Sequence, residues 1–221
     1  MTLKKWRIKL YIFIKSPGRE APYMLELENR IKKDGRVIDN RILKVDSFLN
    51  HQLDPALLTR MGQELARLYA DTAIDRIVTI ETSGIAVAYA VAMAMGNIPV
   101  VFARKKRSLL SVDDQYVTSV YSYTKEEEYT ASISRQYLPA RENILIIDDF
   151  LASGAAALGL IRLVQQAGSR TAGIGVVIEK TFQPGRATLE QAGYRVEALA
   201  SIESFTDNQP IFTSSHVRRK T

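Results

Sequence analysis

At 221 residues, 46% hydrophobic and 24% charged, the chain is long enough to bury one substantial core, with room for a small appended subdomain. The absence of cysteine excludes disulfides and thiolate metal sites, and two histidines, His51 and His216, are too few for a multi-histidine metal centre. No apolar run approaches the roughly 20 residues a membrane helix requires. The formal charge of +6 sits at the front: of 30 basic and 24 acidic residues, six and one fall within residues 1–23, leaving 24 and 23 behind them. A nearly neutral body argues against a nucleic-acid-binding protein, which presents a basic face.

Residues 1–23 contain an apolar stretch at 6–14 that Arg7 and Lys9 interrupt, with no small-x-small cleavage site after it, so they do not read as a signal peptide. We expect a disordered or non-native extension, with Met24 as the natural start. Gly18-Arg19-Glu20 can be encoded by a purine-rich stretch resembling a ribosome-binding site. An amphipathic helix follows at 25–33, closed by Gly35. Asp54-Pro55 predicts an N-cap and first helical residue, the helix running to about Tyr69 with Leu58, Met61, Leu65 and Leu68 on one face. Residues 76–81 form a short β-branched strand. Thr82-Ser83-Gly84 then leads into an alanine-rich helix at 85–95, apolar on most sides and therefore expected to be buried. A second core strand is predicted at 99–104. Residues 116–124 and 129–137, joined by Lys125-Glu126-Glu127-Glu128, read as a hairpin leaving the sheet.

A third core strand at 143–148, a helix at 154–166 and a near-continuously apolar strand at 171–180 complete an alternation that implies a parallel sheet covered on both faces. A short helix from Gly185 to Gly193 and late strands at 195–204 and 211–214, read as peripheral, close the chain. The fold class is α/β: one domain over 24–221, its core about 54–182 and a small hood from 36–53 and 183–215. Ligands of such sheets lie beyond the carboxyl ends of the strands. That directs attention to 81–84, 104–107, 148–156 and 180–182.

The segment at 144–156 carries the clearest chemistry. Four aliphatic residues precede Asp148 and Asp149, which are expected where the strand leaves the sheet. Phe150-Leu151-Ala152-Ser153-Gly154 then forms a loop of mostly small residues entering a helix. A helix N-terminus offers free N–H groups and partial positive charge to a phosphate. Small residues let the backbone approach it closely, and adjacent carboxylates accept hydrogen bonds from a sugar diol. Together these describe a ribose 5-phosphate site. The plainer alternative makes Asp149 or Ser153 a helix cap and Asp148 a solvated loop residue. A Walker loop is excluded because no Gly-Lys-Ser/Thr occurs, and no Gly-x-Gly-x-x-Gly follows a strand.

The aliphatic strand, paired acids and Ser-Gly loop resemble the phosphoribosyl-pyrophosphate (PRPP) motif of the type I phosphoribosyltransferases. Residues 43–52 (Leu-Lys-Val-Asp-Ser-Phe-Leu-Asn-His-Gln), 80–86, 102–108 and 178–186 (Ile-Glu-Lys-Thr-Phe-Gln-Pro-Gly-Arg) resemble the bacterial xanthine branch of that family, in order, across about 24–215. The chain departs from the wider family at Ala156, where a hydroxyl residue usually holds the 5′-phosphate; the xanthine branch shares the small residue. The resemblance implies a hood subdomain and a flexible hairpin over the active site. It implies that Ala152, Ser153, Gly154, Ala155 and Ala156 hold the 5′-phosphate and that Asp148 and Asp149 face the ribose hydroxyls. Thr82, Ser83 and Gly84 would form the pyrophosphate loop after Glu81, with Arg104 and Lys105 near it. Leu43, Asn50, Lys180 and Phe182 would meet the purine.

A lysine ammonium donates hydrogen bonds and accepts none, so Lys180 at the purine 6-position would favour a carbonyl and argue for 6-oxopurines over adenine. Asn50, both donor and acceptor, does not separate xanthine from guanine or hypoxanthine. By resemblance the protein transfers the phosphoribosyl group of PRPP to N9 of xanthine, with Mg²⁺ carried by PRPP rather than by a dedicated protein site. It would act as a cytoplasmic homodimer with no membrane or nucleic-acid partner. The rival readings are a PRPP-sensing regulator on the same fold and a transferase preferring guanine or hypoxanthine. Each residue also has a bland alternative: Lys180 a strand-end charge, Asn50 a cap, Leu43 core, residues 104–107 a solvated turn.

Overall fold

A computed structural model describes residues 24–105, 114–122 and 127–213. The expectations for residues 1–23, for 106–107 of the basic stretch at 104–107, for the turn at 123–126 and for residue 214 lie outside them. The elements in chain order are α1 (Leu25–Asp34), β1 (Arg36–Ile38), β2 (Ile42–Lys44), a π-helical turn (Asp46–Asn50), α2 (Pro55–Leu68), β3 (Arg76–Ile80), α3 (Gly84–Ala94), β4 (Val100–Ala103), β5 (Gln115–Ser122), β6 (Glu127–Ser134), β7 (Asn143–Leu151), α4 (Ala155–Gln166), β8 (Arg170–Lys180), α5 (Gly185–Gln191), β9 (Val196–Thr206) and β10 (Gln209–Phe212).

The central sheet runs β10-β9-β8-β7-β3-β4, parallel except for β10, which pairs antiparallel with β9. Its strands are apolar on both faces because both are covered. One face packs on α1, α2 and α3 through Leu27, Leu58, Met61, Leu65 and Val91. The other packs on α4 and the β5–β6 hairpin through Leu160, Leu163, Val164, Val120 and Ile133. α2 begins as its sequence requires: the Asp54 carboxylate accepts the Leu57 N–H at 3.0 Å, a cap contributing about 1 kcal/mol.

Three expectations are corrected. β9, read as peripheral, is an interior strand paired in parallel with β8 from Val196 to Ile202, because its residues 198–202 are apolar or small and buried on both sides. β7 does not end at Asp148. It continues through the acids to Leu151, held by the Phe150–Ile178 and Leu151–Glu179 ladder pairs. α3 is only half buried: Tyr89 is 62% and Met93 53% exposed, so the described residues leave its apolar outer face open. The hairpin leaves the sheet as expected, and its strands are fastened to α4. Arg162 donates to Thr118 Oγ1 and the Ser119 carbonyl, and the Gln166 amide brackets the backbone of Val117. The hood hairpin β1–β2 has strands of three residues, too short to show a periodicity.

Candidate active site

The carboxyl ends of β7 and β8, the N-terminus of α4, the hood hairpin and the β5–β6 hairpin enclose a cavity of about 720 Å³. Its floor is the turn between β7 and α4. Gly154 caps α4 at φ +85°, a conformation that costs a side-chain-bearing residue about 1–2 kcal/mol. It also lies so close to Gly185 that a Cβ on it would stand 3.1 Å from the Gly185 Cα. In return, the Gly185 N–H donates to the Ala152 carbonyl at 3.0 Å, and any Cβ on Gly185 would collide with that same oxygen. No side chain caps α4; Ser153 Oγ accepts only a long 3.4 Å contact from the Ala155 N–H. The first turn of α4 therefore presents backbone donors and the positive end of the helix dipole to the cavity. Ala152, Ser153, Gly154, Ala155 and Ala156 all line it.

Above this floor stands Asp148, on the cavity wall though only 8% exposed. Burial, and then the neighbouring charge of Asp149, push its carboxyl well above the ordinary carboxylate range. The Asp149 N–H, donating to Asp148 Oδ1 at 2.9 Å, and the Lys105 ammonium oppose that shift. Gly84, at the start of α3, lies directly against Asp148: a Cβ there would stand 3.0 Å from Asp148 Oδ1.

At the other end, Lys180 closes β8. Its ammonium donates to the Arg41 carbonyl of the hood hairpin at 3.1 Å, using one of three donors and leaving two for a ligand. Burial, and secondarily the Arg41 charge, lower its pKa. Leu43 and Asn50 share this end of the cavity. Leu43 also belongs to the core, so both readings of it hold.

The cavity thus gathers Leu43, Asn50, Lys105, Asp148, Ala152 to Ala156 and Lys180. Other candidates lie off its wall. Asp149 stands behind Asp148, 9% exposed. Thr82 and Ser83 line an adjoining groove along α3, and Arg104 lines a separate depression beside Ser132. Phe182 packs edge-on against Phe205, 5.7 Å between ring centres. Glu81 accepts the Lys105 N–H at 2.6 Å and so ties the ends of β3 and β4 together. Arg41, Tyr121, Tyr129 and Gln183 line the cavity without having been singled out. Gln183 sits inside the 178–186 segment and was within reach. Arg41 and the two tyrosines enter only through the packing of two hairpins.

No helix among the described residues is long and apolar enough to cross a membrane. Residues 44–196 match the phosphoribosyl transferase domain family. Xanthine phosphoribosyltransferases from Laribacter hongkongensis and Acinetobacter baylyi are 52% and 50% identical over 189 residues. Each match covers 86% of this chain, and 100% and 98% of the respective relative. Among solved structures, adenine phosphoribosyltransferase from Thermoanaerobacter pseudethanolicus superposes with a TM-score of 0.67 at 23% identity, covering 79% of this chain and 99% of that one. The Trypanosoma brucei enzyme in complex with AMP, pyrophosphate and ribose-5-phosphate gives 0.66 at 17% identity, covering 87% and 85%. At those identities the likeness is one of fold.

Proposed function

The chain belongs to the phosphoribosyltransferase family and is a pentosyltransferase, and we propose that it carries the 5-phosphoribosyl group of PRPP to N9 of xanthine, releasing pyrophosphate and forming XMP. The observation that supports this most is the cavity itself. It joins an uncapped helix N-terminus, a buried carboxyl and a desolvated lysine within one enclosure of about 720 Å³. The α4 N-terminus and the 152–156 backbone hold the 5′-phosphate. Asp148, with Asp149 behind it, accepts hydrogen bonds from the ribose hydroxyls. The pyrophosphate lies toward Gly84 and Lys105, with the 82–84 turn and Arg104 around it. Lys180 donates its two remaining hydrogen bonds to the purine 6-carbonyl, while Leu43 and Asn50 meet the ring.

As the C1–oxygen bond to pyrophosphate breaks and the C1–N9 bond forms, N9 gives up its proton and positive charge develops at C1. These groups act by holding C1 and N9 in line and by excluding water. Mg²⁺ is a hard cation that binds oxygen. Asp148 on the cavity wall, with Asp149 behind it, is the carboxylate that could meet the ion, and no cluster of three metal-ligating side chains occurs among the described residues. Bound with PRPP, the ion would offset the charge of the departing pyrophosphate.

Lys180 serves xanthine, guanine and hypoxanthine alike. The choice of xanthine rests on the relatives, and the regulator reading finds no support among those named above. A spectrophotometric assay with PRPP, Mg²⁺ and each of xanthine, guanine, hypoxanthine and adenine tests both. Turnover fastest with xanthine is expected, and preference for adenine would overturn the role of Lys180.

The same reading includes a cytoplasmic homodimer. The open apolar face of α3, with Tyr89 and Met93 beside Leu53 at 47% exposure, suits a second copy, since a patch of this kind is costly to leave in water. Light scattering after gel filtration should give twice the chain mass, and Tyr89→Lys should give the single mass. A single-chain mass for the parent protein ends this part of the proposal.

A further inference from the structure

Beyond the cavity, one buried ion pair stands out. The Arg186 guanidinium, at the first turn of α5, grips the Glu179 carboxylate with two parallel hydrogen bonds. Nε donates to Oε1 and Nη2 to Oε2, each at 2.7 Å. Its third nitrogen, Nη1, donates to Glu190 at 2.8 Å and to the Val196 carbonyl at 2.9 Å. Ser201 Oγ donates to Glu179 Oε2 at 3.2 Å. The Glu179 side chain is 1% exposed. Taking two charges out of water is expensive, and apolar residues of like volume usually serve stability as well or better. What the pair supplies that they would not is geometry, because two parallel bonds fix both distance and angle.

The neighbours of the pair give that geometry its meaning. Glu179 precedes Lys180 on β8 and lies opposite Leu151, the last residue of β7 before the phosphate turn. Arg186 follows Gly185, whose N–H holds the Ala152 carbonyl and whose Cα lies against Gly154. One end of the pair is therefore a single residue from the proposed base-reading lysine. The other is a single residue from the backbone that shapes the phosphate floor. Between them, Gln183 N–H donates to the Lys180 carbonyl, and Thr181 is fastened to the Ile202 carbonyl through both its N–H and its hydroxyl.

We propose that Glu179 and Arg186 are positioning residues that set the separation between the phosphate-binding turn and Lys180, and so hold the two substrates in reacting register. This rests on the reading of the cavity given above.

The test compares parent protein, Arg186→Lys, and Glu179→Leu combined with Arg186→Leu, each followed by steady-state kinetics with PRPP and xanthine and by thermal unfolding. Arg186→Lys keeps the charge and loses the fork. The double substitution removes both charges of the fork, while Glu190, half exposed, and the Val196 carbonyl lose Arg186 as a donor. Both are expected to unfold close to the parent temperature and, with the active fraction fixed by the amplitude of a single-turnover reaction, to turn over on the order of tenfold more slowly per active site, since small misplacements of reacting groups cost rate. A merely structural role would reduce the active fraction and leave the rate per active site and both KM values unchanged. That outcome, in either variant that folds, overturns the proposal, as does a double variant with parental kinetics. Should the double variant fail to fold, Arg186→Lys decides alone. Absence of turnover in the parent protein would instead count against the reading of the cavity.

Discussion

The two ends of the cavity are built in opposite ways. The phosphate end comes from one unbroken stretch, β7, its turn and α4, so strand, acids, turn and helix N-terminus follow each other along the chain. The base end is assembled from three distant pieces: Arg41 to Leu43 on the hood hairpin, Asn50 on the π-helical turn, and Lys180 with Gln183 beyond β8. In a local site, sequence order and spatial order coincide, and the chemistry can be derived from residue types alone. A composite site exists only once the sheet has formed, and its parts carry no mutual signal along the chain. The phosphate end should thus tolerate change in the hood, and the base end should fail when any one of its pieces moves.

The largest expected effect falls on the phosphate end. Asp148→Asn with Asp149→Asn should lower kcat/KM by at least about a hundredfold, because both ribose acceptors go. The protein should nonetheless stay folded, and the linkage gives the sign. The Asp148 carboxyl titrates above its unfolded value, so the native state holds a proton that the unfolded state releases. Stability from this group is complete below the unfolded value near 3.8 and is lost as pH rises toward the elevated native one. At neutral pH the substitution removes that loss, and the variant should melt no lower than the parent by calorimetry. The ribose hydroxyls donate to this carboxyl, which accepts more strongly ionised than protonated, so PRPP affinity in the parent should rise as pH climbs through the same range. A variant as active as the parent would remove the acids from the reaction.

This contrast also explains what could be read from residues alone. The helix at α2, with its Asp54-Pro55 start, and four of the five parallel strands announce themselves through caps and apolar runs. So does the strand-to-helix turn at 152–156, because Gly154 and the small residues beside it mark a place where the backbone is meant to be approached closely. The extension of β7 through Asp148 and Asp149 was hidden, since charged residues ordinarily end a buried strand; here they are tolerated because Asp148 faces a cavity and its carboxyl is pushed toward the neutral form by burial and by the charge of Asp149. α3 misleads in the opposite direction. Its sequence has no polar face and so implies burial all round, yet no described element of this chain covers the side that carries Tyr89 and Met93. Arg41, Tyr121 and Tyr129 reach the cavity through hairpin packing, which no local pattern encodes.

At the base end, Lys180→Met should lower kcat/KM with xanthine by about 10- to 100-fold, the cost of removing a donor from a buried carbonyl partner. It should leave KM for PRPP near the parent value and narrow the preference over adenine, which the lysine opposes in the parent. An equal rise in KM for PRPP would show that the two ends are less separable than their construction implies.

The smallest effect tests the hood's share in that end. Burial lowers the pKa of Lys180 most, and the Arg41 charge lowers it further. The hydrogen bond between them runs to the Arg41 backbone carbonyl, so Arg41→Gln removes the charge and keeps the bond. Lys180 donates fully only while protonated. In the parent, recognition of the purine carbonyl should therefore fade on the alkaline side at a lower pH than an ordinary lysine would allow. Removing the Arg41 charge should carry that limb upward by a fraction of a pH unit, since the larger cause, burial, remains. The measurement is kcat/KM for the base against pH in both proteins at saturating PRPP. The ionisation of the substrate itself is common to both and cancels in the difference. A limb that shifts downward would mean that Arg41 steadies the ammonium rather than opposing it. A limb that does not move would mean that the hood contributes its carbonyl and its shape to the base end, and no charge.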